Sequence, residues 1–211
     1  DNFSTLVEIH KNYAITSMFF FQFAEYSAND KNISPNNNRF RYLIKSVADY
    51  SIVSLSTSFL SSTNKEVLKE EKKGLGNLIN RPITYSRLRY NRVNVPSTYR
   101  TLIEAEFTND FSMGYTHQMG FRAGTCTPFY FYDISMETKQ PLRVHPFALH
   151  DYALTKYKRP TEVFAKVDTL FRAVKAVEGT FITVFSNELL GGKHKISWIS
   201  LYQSLLKRYH V

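Results

Sequence analysis

The stretch GFRAGTCTPFYFYD, residues 120–133, joins an arginine and the only cysteine of the chain to a run of aromatic side chains. The small residues around Arg122 and Cys126 let the backbone come close to a neighbouring element. Pro128 interrupts regular structure just before the aromatic run. A guanidinium can bind a carboxylate through two parallel hydrogen bonds. The stretch is therefore predicted to line a site that contains Arg122.

The segments on either side of this stretch, SMGYTHQMG at 112–120 and LRVHPFALHDYAL at 142–154, carry a resemblance to a known family. With them, the chain resembles bacterial polysaccharide deacetylases of the NodB-like kind. The resemblance extends over most of the chain through four further segments, NISPNNNRFRYLIKSVADY, NRPITYS, PSTYRTLIEAEFTNDFSMGY and AVEGTFITVFSNE. It implies an α/β fold, a distorted (β/α) barrel of mostly parallel strands covered by helices.

The hydrophobic pattern favours the same fold class. Apolar runs at 15–23, 52–55 and 180–185 are typical of buried parallel strands, and we expect them to be neighbours in one sheet. The clearest helix follows Thr161, keeps one apolar face, and ends at Gly179. Strands and helices alternate with short connections, which predicts a parallel sheet covered by helices.

Length and composition indicate one folded domain. The chain has 211 residues, of which 43% are hydrophobic, and this suits a single domain over residues 1–211. In the family, a pair of aspartates lies on the first strand. Asp1 falls where the chain would already have left that strand, so the domain is expected to lack it. One cysteine excludes an intrachain disulfide and favours the cytoplasm, and no apolar run is long enough to cross a bilayer.

The chain is basic, with 27 Lys and Arg against 18 Asp and Glu and a formal net charge of +9. Such an excess of positive charge favours anionic partners through the long-range electrostatic field of the protein. The basic residues are spread along the chain, as on solvated helix faces, and no recognition helix or aromatic ribonucleoprotein motif accompanies them. We therefore expect no membrane and no specific nucleic acid as partner.

The resemblance implies a metal site, but the metal-binding positions are altered. Active relatives hold a divalent metal, usually zinc, with one aspartate and two histidines, while a second aspartate acts as base and a later histidine as acid. Ser56 and Ser186 stand where relatives have histidine, and so does Arg89. Since a neutral hydroxyl is a poor zinc ligand, we expect no cofactor.

Two residues of the implied active site remain, Arg122 and Asp151. In the family, the arginine orients a catalytic carboxylate and the aspartate lies near the histidine of the active site. We expect Arg122 to point toward the strand ends and to pair with a carboxylate, with Asp151 as the first choice. An equal alternative is that Arg122 is only a structural, buried arginine paired with Asp133 or Asp151, and Asp151 also suits a helix cap. Neither residue alone makes an enzyme.

The candidates for substrate binding are polar or aromatic residues near the expected strand ends, namely Tyr130, Tyr132, Asn187 and Glu188. Tyrosine faces match the C–H face of a pyranose, but core packing is the first interpretation of the aromatic run. His145 and Cys126 are interpreted as structural residues, the cysteine packing as a small hydrophobe.

Three hypotheses for function follow. The first is a deacetylase-like protein that keeps a scaffold for an N-acetylated glycan and is non-catalytic or very weakly active. The second is an active metal-dependent hydrolase that removes N-acetyl groups from a glycan. The third, which rests on the charge of +9 alone, is a protein that binds an anionic polymer or nucleic acid.

Overall fold

The structure is a computed structural model that describes residues 2–192 and 195–209. Asp1, from which the missing first strand was inferred, lies outside these residues. The strands are β1 (Met18–Gln22), β2 (Ile52–Ser56), β3 (Tyr85–Arg87), β4 (Asn109–Asp110), β5 (Phe129–Asp133), β6 (Thr138–Val144), β7 (Leu149–His150) and β8 (Thr183–Val184). The helices are α1 (Phe3–Asn12), α2 (Asn38–Ala48), α3 (Lys65–Ile79), α4 (Ser97–Glu104), α5 (Pro160–Ala176), α6 (Asn187–Gly191) and α7 (Lys195–Tyr209).

The chain forms two compact units from interleaved segments. Residues 18–113 and 128–145 form the unit that we call the sheet unit. The described residues up to 17, 114–127 and those from 146 onward form the helical unit. The expectation of one domain that lacks its first strand stays a prediction.

The sheet unit is built on a six-stranded sheet in the order β1-β2-β3-β4-β6-β5. Every neighbouring pair is parallel except β5 and β6, which form an antiparallel hairpin at one edge. Ile44, Leu75 and Leu142 are among its fully buried side chains. This arrangement confirms an α/β fold with a mostly parallel sheet.

Side-chain caps fix the ends of the helices of the sheet unit. The side chain of Asn64 accepts from the N–H groups of Glu66 and Val67 and so caps α3. The left-handed Asn80 then ends that helix. Helix α2 begins after Asn37, whose side chain accepts from the N–H of Phe40.

The helical unit packs its helices around a short parallel sheet of β7 and β8. Its core contains Leu149, Val163, Val167 and Leu205, with Phe181 and Phe185 packed against them. The half-buried Cys126 packs closely against Gly179, where any side chain would collide with its sulfur. The predicted helix after Thr161 is confirmed as α5.

One expectation about the sheet was wrong, and another is not confirmed. Residues 180–185 contribute β8 to the two-stranded sheet and do not join β1 and β2. Their apolar character has another cause, since Phe181 and Phe185 are covered by the helical core. The six-stranded sheet is also open among the described residues, with β1 and β5 at its edges, so the expected closed barrel is not confirmed.

Candidate functional site

Parallel strands bring polar residues together at their C-terminal ends, which is where α/β proteins of this architecture have their catalytic and binding residues. In the sheet unit, Ser56 ends β2, and its backbone is in register with Gln22 of β1 and Arg87 of β3. The side chain of Ser56 is half-buried. This edge is the candidate site of the sheet unit.

Asp30 is a buried carboxylate at this edge that the sequence interpretation missed. It lies eight residues after β1 and is 1% exposed. Its oxygens accept the N–H of Phe59, at 2.9 and 3.1 Å, and a hydrogen bond from the side chain of Gln22. Nothing in the polar loop around Asp30 distinguishes it in sequence, because its burial depends on contacts with a loop 29 residues away.

Arg89, expected from the sequence to occupy the position of a histidine in relatives, brings a positive charge to Asp30. Its Nε lies 3.7 Å from Oδ1 of Asp30, and its backbone N–H donates to Oγ1 of Thr57. The neighbouring N–H of Ser58 donates to the buried carboxylate of Glu71 at 3.2 Å. The loop that follows β2 is therefore held by two buried carboxylates.

These groups do not fit a zinc ion. A serine hydroxyl ligates zinc poorly, a guanidinium cannot ligate it, and the carboxylate of Asp30 already accepts three donors. Within residues 2–192 and 195–209, no three His, Cys, Asp or Glu side chains are grouped as a metal site. Ser56 and Arg89 supply no imidazole ligand at this edge.

Asp110 and His145 lie at the ends of β4 and β6. Burial raises the pKa of Asp110 to about 6, although hydrogen bonds from Ser112 and Ser86 act in the opposite direction. Burial also lowers the pKa of His145 to about 4, and the imidazole stacks on Phe111 with ring centroids 4.4 Å apart. His145 is therefore a neutral structural histidine, as the sequence suggested.

The buried carboxyl group of Asp110 should make stability depend on pH. The folded-state pKa of Asp110 is about 6, above the ordinary 3.8, so the folded protein holds this proton at pH values where the unfolded chain has lost it. The contribution of Asp110 to stability therefore falls as the pH rises from about 3.8 to about 6. We expect Asp110→Asn to reduce the difference in unfolding free energy between about pH 4 and pH 7 by on the order of 2 kcal/mol. Urea titrations at both pH values measure it.

Asp49→Asn on the surface of the sheet unit is the control for this prediction. It should leave the pH dependence of wild type in place. An Asp110→Asn variant with the same pH dependence as wild type would show that the Asp110 carboxyl does not titrate as described.

The helical unit carries a second polar cluster, at the ends of β7 and β8. Asp151 is fully buried, and its Oδ2 accepts from both the backbone N–H and the hydroxyl of Ser186. Its Oδ1 lies 2.6 Å from Nδ1 of His150 and accepts the N–H of Tyr152 at 2.7 Å. Burial would raise the pKa of Asp151, but the hydrogen bonds from His150 and Ser186 outweigh it and lower the pKa.

This cluster changes the interpretation of three residues. The polar partners of the buried Asp151 carboxylate are His150 and Ser186, while Arg122 is exposed in a turn. Ser186 caps α6 by accepting the N–H of Leu189 at 3.4 Å. The sequence interpretation did not single out His150. The adjacent pair His150-Asp151 at a strand end was the signal that could have identified it.

The expected substrate-binding residues are exposed. Tyr130 and Tyr132 lie on β5 with 47% and 54% exposure, so the core interpretation of these two rings was wrong. Alternation along the strand explains it, since the intervening Phe131 is buried. Asn187 and Glu188 begin α6, and the carboxylate of Glu188 accepts a hydrogen bond from the hydroxyl of Tyr152.

Solved structures share this arrangement of strands and helices. A protein of Mycobacterium smegmatis described as a polysaccharide deacetylase matches with a TM-score of 0.66 and 12% identity, over 97% of this chain and 70% of its own. Puue allantoinase matches with a TM-score of 0.64 and 13% identity, over 96% and 64%. A Pseudomonas aeruginosa PAO1 protein, also described as a polysaccharide deacetylase, matches with a TM-score of 0.63 and 13% identity, over 98% and 66%.

These likenesses show the fold. The chain is an α/β protein with the fold of the polysaccharide deacetylases, and it spans between 64% and 70% of the length of these three proteins. No family model matches the sequence, and no curated protein matches it. Of the helices among residues 2–192 and 195–209, none is both long and apolar enough to span a membrane.

Proposed function

We propose that the chain is a glycan-binding protein with the deacetylase fold that does not remove acetyl groups through a zinc centre. The observation that carries the proposal is the pairing of Asp30 with Arg89 beside Ser56. A guanidinium supplies positive charge to the buried carboxylate at an edge where relatives are expected to place a metal. In this proposal the deacetylase fold is kept while the residues that would bind the metal are replaced.

The residues proposed for glycan contact are those whose side chains reach solvent. Tyr130 and Tyr132 offer ring faces that suit a pyranose, and Asn187 and Glu188 offer an amide and a carboxylate for sugar hydroxyls. Arg122 and Asp151 are proposed as remnants of the ancestral active site. The single cysteine supports a reducing compartment, and we propose the cytoplasm.

Binding to an N-acetylated oligosaccharide tests this proposal. Calorimetric titration with chitotetraose should give saturable binding that is unchanged by EDTA, because no metal takes part in the contact. The fully deacetylated tetrasaccharide is the control for the acetyl group. Binding that disappears with EDTA and returns with zinc would contradict the proposal, and so would the absence of binding to both sugars.

One observation favours the second candidate, an active hydrolase. His150 is held by the buried carboxylate of Asp151 through Nδ1, and such a carboxylate orients an imidazole for proton transfer through Nε2. If this pair supports hydrolysis, acetate release should fall at least tenfold in His150→Gln without loss of chitotetraose binding. Equal background rates in wild type and variant would eliminate this candidate.

A further inference from the structure

The loop Arg89–Arg92, which follows β3, has a strained backbone. Tyr90 and Asn91 are consecutive left-handed residues with φ of 57° and 51°. Tyrosine rarely adopts this conformation, and such outliers persist only where surrounding contacts fix them. Here the hydroxyl of Tyr90 donates to the backbone oxygen of Asn29 at 2.8 Å. The loop, which we call the arginine loop, is therefore held in a defined shape.

The shape brings two cations and two aromatic rings together. The guanidinium of Arg89 lies 4.7 Å from the ring centroid of Tyr90, and that of Arg92 lies 5.2 Å from the ring of Phe59. The two rings meet edge to face with centroids 6.4 Å apart. Because Tyr90 is 58% exposed and Arg92 is also exposed, the array faces solvent.

The charges of this array are incompletely balanced. The carboxylate of Asp30 lies 3.7 Å from Nε of Arg89, and it also accepts the N–H of Phe59. Nε of Arg89 is buried and makes no hydrogen bond within the described part of the chain. Among the same residues, Arg92 has no carboxylate within 4.0 Å. One guanidinium thus remains available for an anion that comes from solution.

We propose that the arginine loop binds an acidic sugar, with the carboxylate of a uronic acid on Arg92 and the pyranose ring against Tyr90. A guanidinium matches a carboxylate through two parallel hydrogen bonds, and the aromatic face matches the C–H face of the ring. This inference rests on the proposed glycan binding and names the class of glycan. One available guanidinium suits a single anionic group, whereas a polynucleotide needs a row of phosphate contacts.

Titration with hyaluronan oligosaccharides, which alternate a uronic acid with an N-acetylated sugar, tests the inference against neutral chitotetraose. We expect hyaluronan to bind about tenfold or more tightly at low salt, and this advantage to shrink as salt screens the charges. Arg92→Gln should abolish the advantage, while leaving chitotetraose binding unchanged. Tyr90→Asn, which tolerates the left-handed backbone, should weaken hyaluronan binding.

Arg39→Gln, on the exposed face of α2, is the matched control and should bind as wild type. Equal affinity for the two sugars would overturn the acidic-sugar inference while the proposed glycan binding stands. Absence of binding to either would overturn both. Preference for a uridine oligonucleotide of equal charge over hyaluronan, lost in Arg92→Gln, would replace the sugar by a nucleic acid.

Discussion

Replacing Asp151 by alanine is expected to lower the unfolding free energy by about 4 kcal/mol, the largest effect of any polar substitution considered. The fully buried carboxylate joins the end of β7 to the residue that caps α6, through two hydrogen bonds from Ser186. Its removal leaves the backbone N–H of Tyr152 without this acceptor and Nδ1 of His150 without its carboxylate partner. Urea unfolding followed by circular dichroism measures the loss.

The pH dependence of stability gives a second readout for Asp151. Because its pKa is lowered in the folded protein, its contribution is fully present above the ordinary pKa and disappears as the pH falls through the folded-state value. The Asp151→Ala variant should therefore lose less stability on acidification than wild type. The contribution of Asp151 to stability thus changes with pH in the direction opposite to that of Asp110.

Ser186→Ala is the matched control, since it removes the hydroxyl and the helix cap but keeps the backbone N–H on Asp151. It should cost about 1 kcal/mol. If Asp151→Ala costs no more than Ser186→Ala, the carboxylate does not organise these strand ends.

Replacing Asp30 by alanine is expected to lower the unfolding free energy by about 3 kcal/mol. The loss combines the buried N–H of Phe59, which would have no acceptor, with the uncompensated charge of Arg89. Arg89 is partly exposed, so water compensates part of the charge. Thermal and urea unfolding of the variant measure the effect.

Asp30→Asn separates the two contributions, because it keeps an oxygen for Phe59 and removes the charge. We expect Asp30→Asn to keep more than half of the unfolding free energy that Asp30→Ala loses. Zinc provides the contrasting test: if Asp30 were a metal ligand, stoichiometric zinc would raise the unfolding temperature of wild type and not of Asp30→Ala. A zinc-dependent rise of that kind would contradict the structural role.

Much of the fold could be predicted from the sequence, because hydrophobic periodicity reports burial. The continuous apolar run of β1 and the one-sided stripe of α5 were both identified. The partner of a strand was not predictable in the same way. Residues 180–185 are apolar because helices cover Phe181 and Phe185, and the same pattern would arise in the centre of a large sheet.

The candidate site was predictable only in part. Ser56, Arg89 and Ser186 were found because a resemblance supplied the position to inspect. Asp30 was missed, since its burial depends on contacts with a loop 29 residues away. Tyr130 and Tyr132 were first taken as core residues, because composition does not show which face of a hairpin meets water.

We propose that this protein keeps the deacetylase fold without a zinc-dependent reaction. Metal analysis of the purified protein, incubated with zinc and then dialysed, tests this beside an acetate-release assay on chitotetraose. We expect far less than one zinc per chain and no acetate release above that of a buffer control, although chitotetraose binds. Near-stoichiometric zinc together with metal-dependent acetate release would instead establish an active hydrolase.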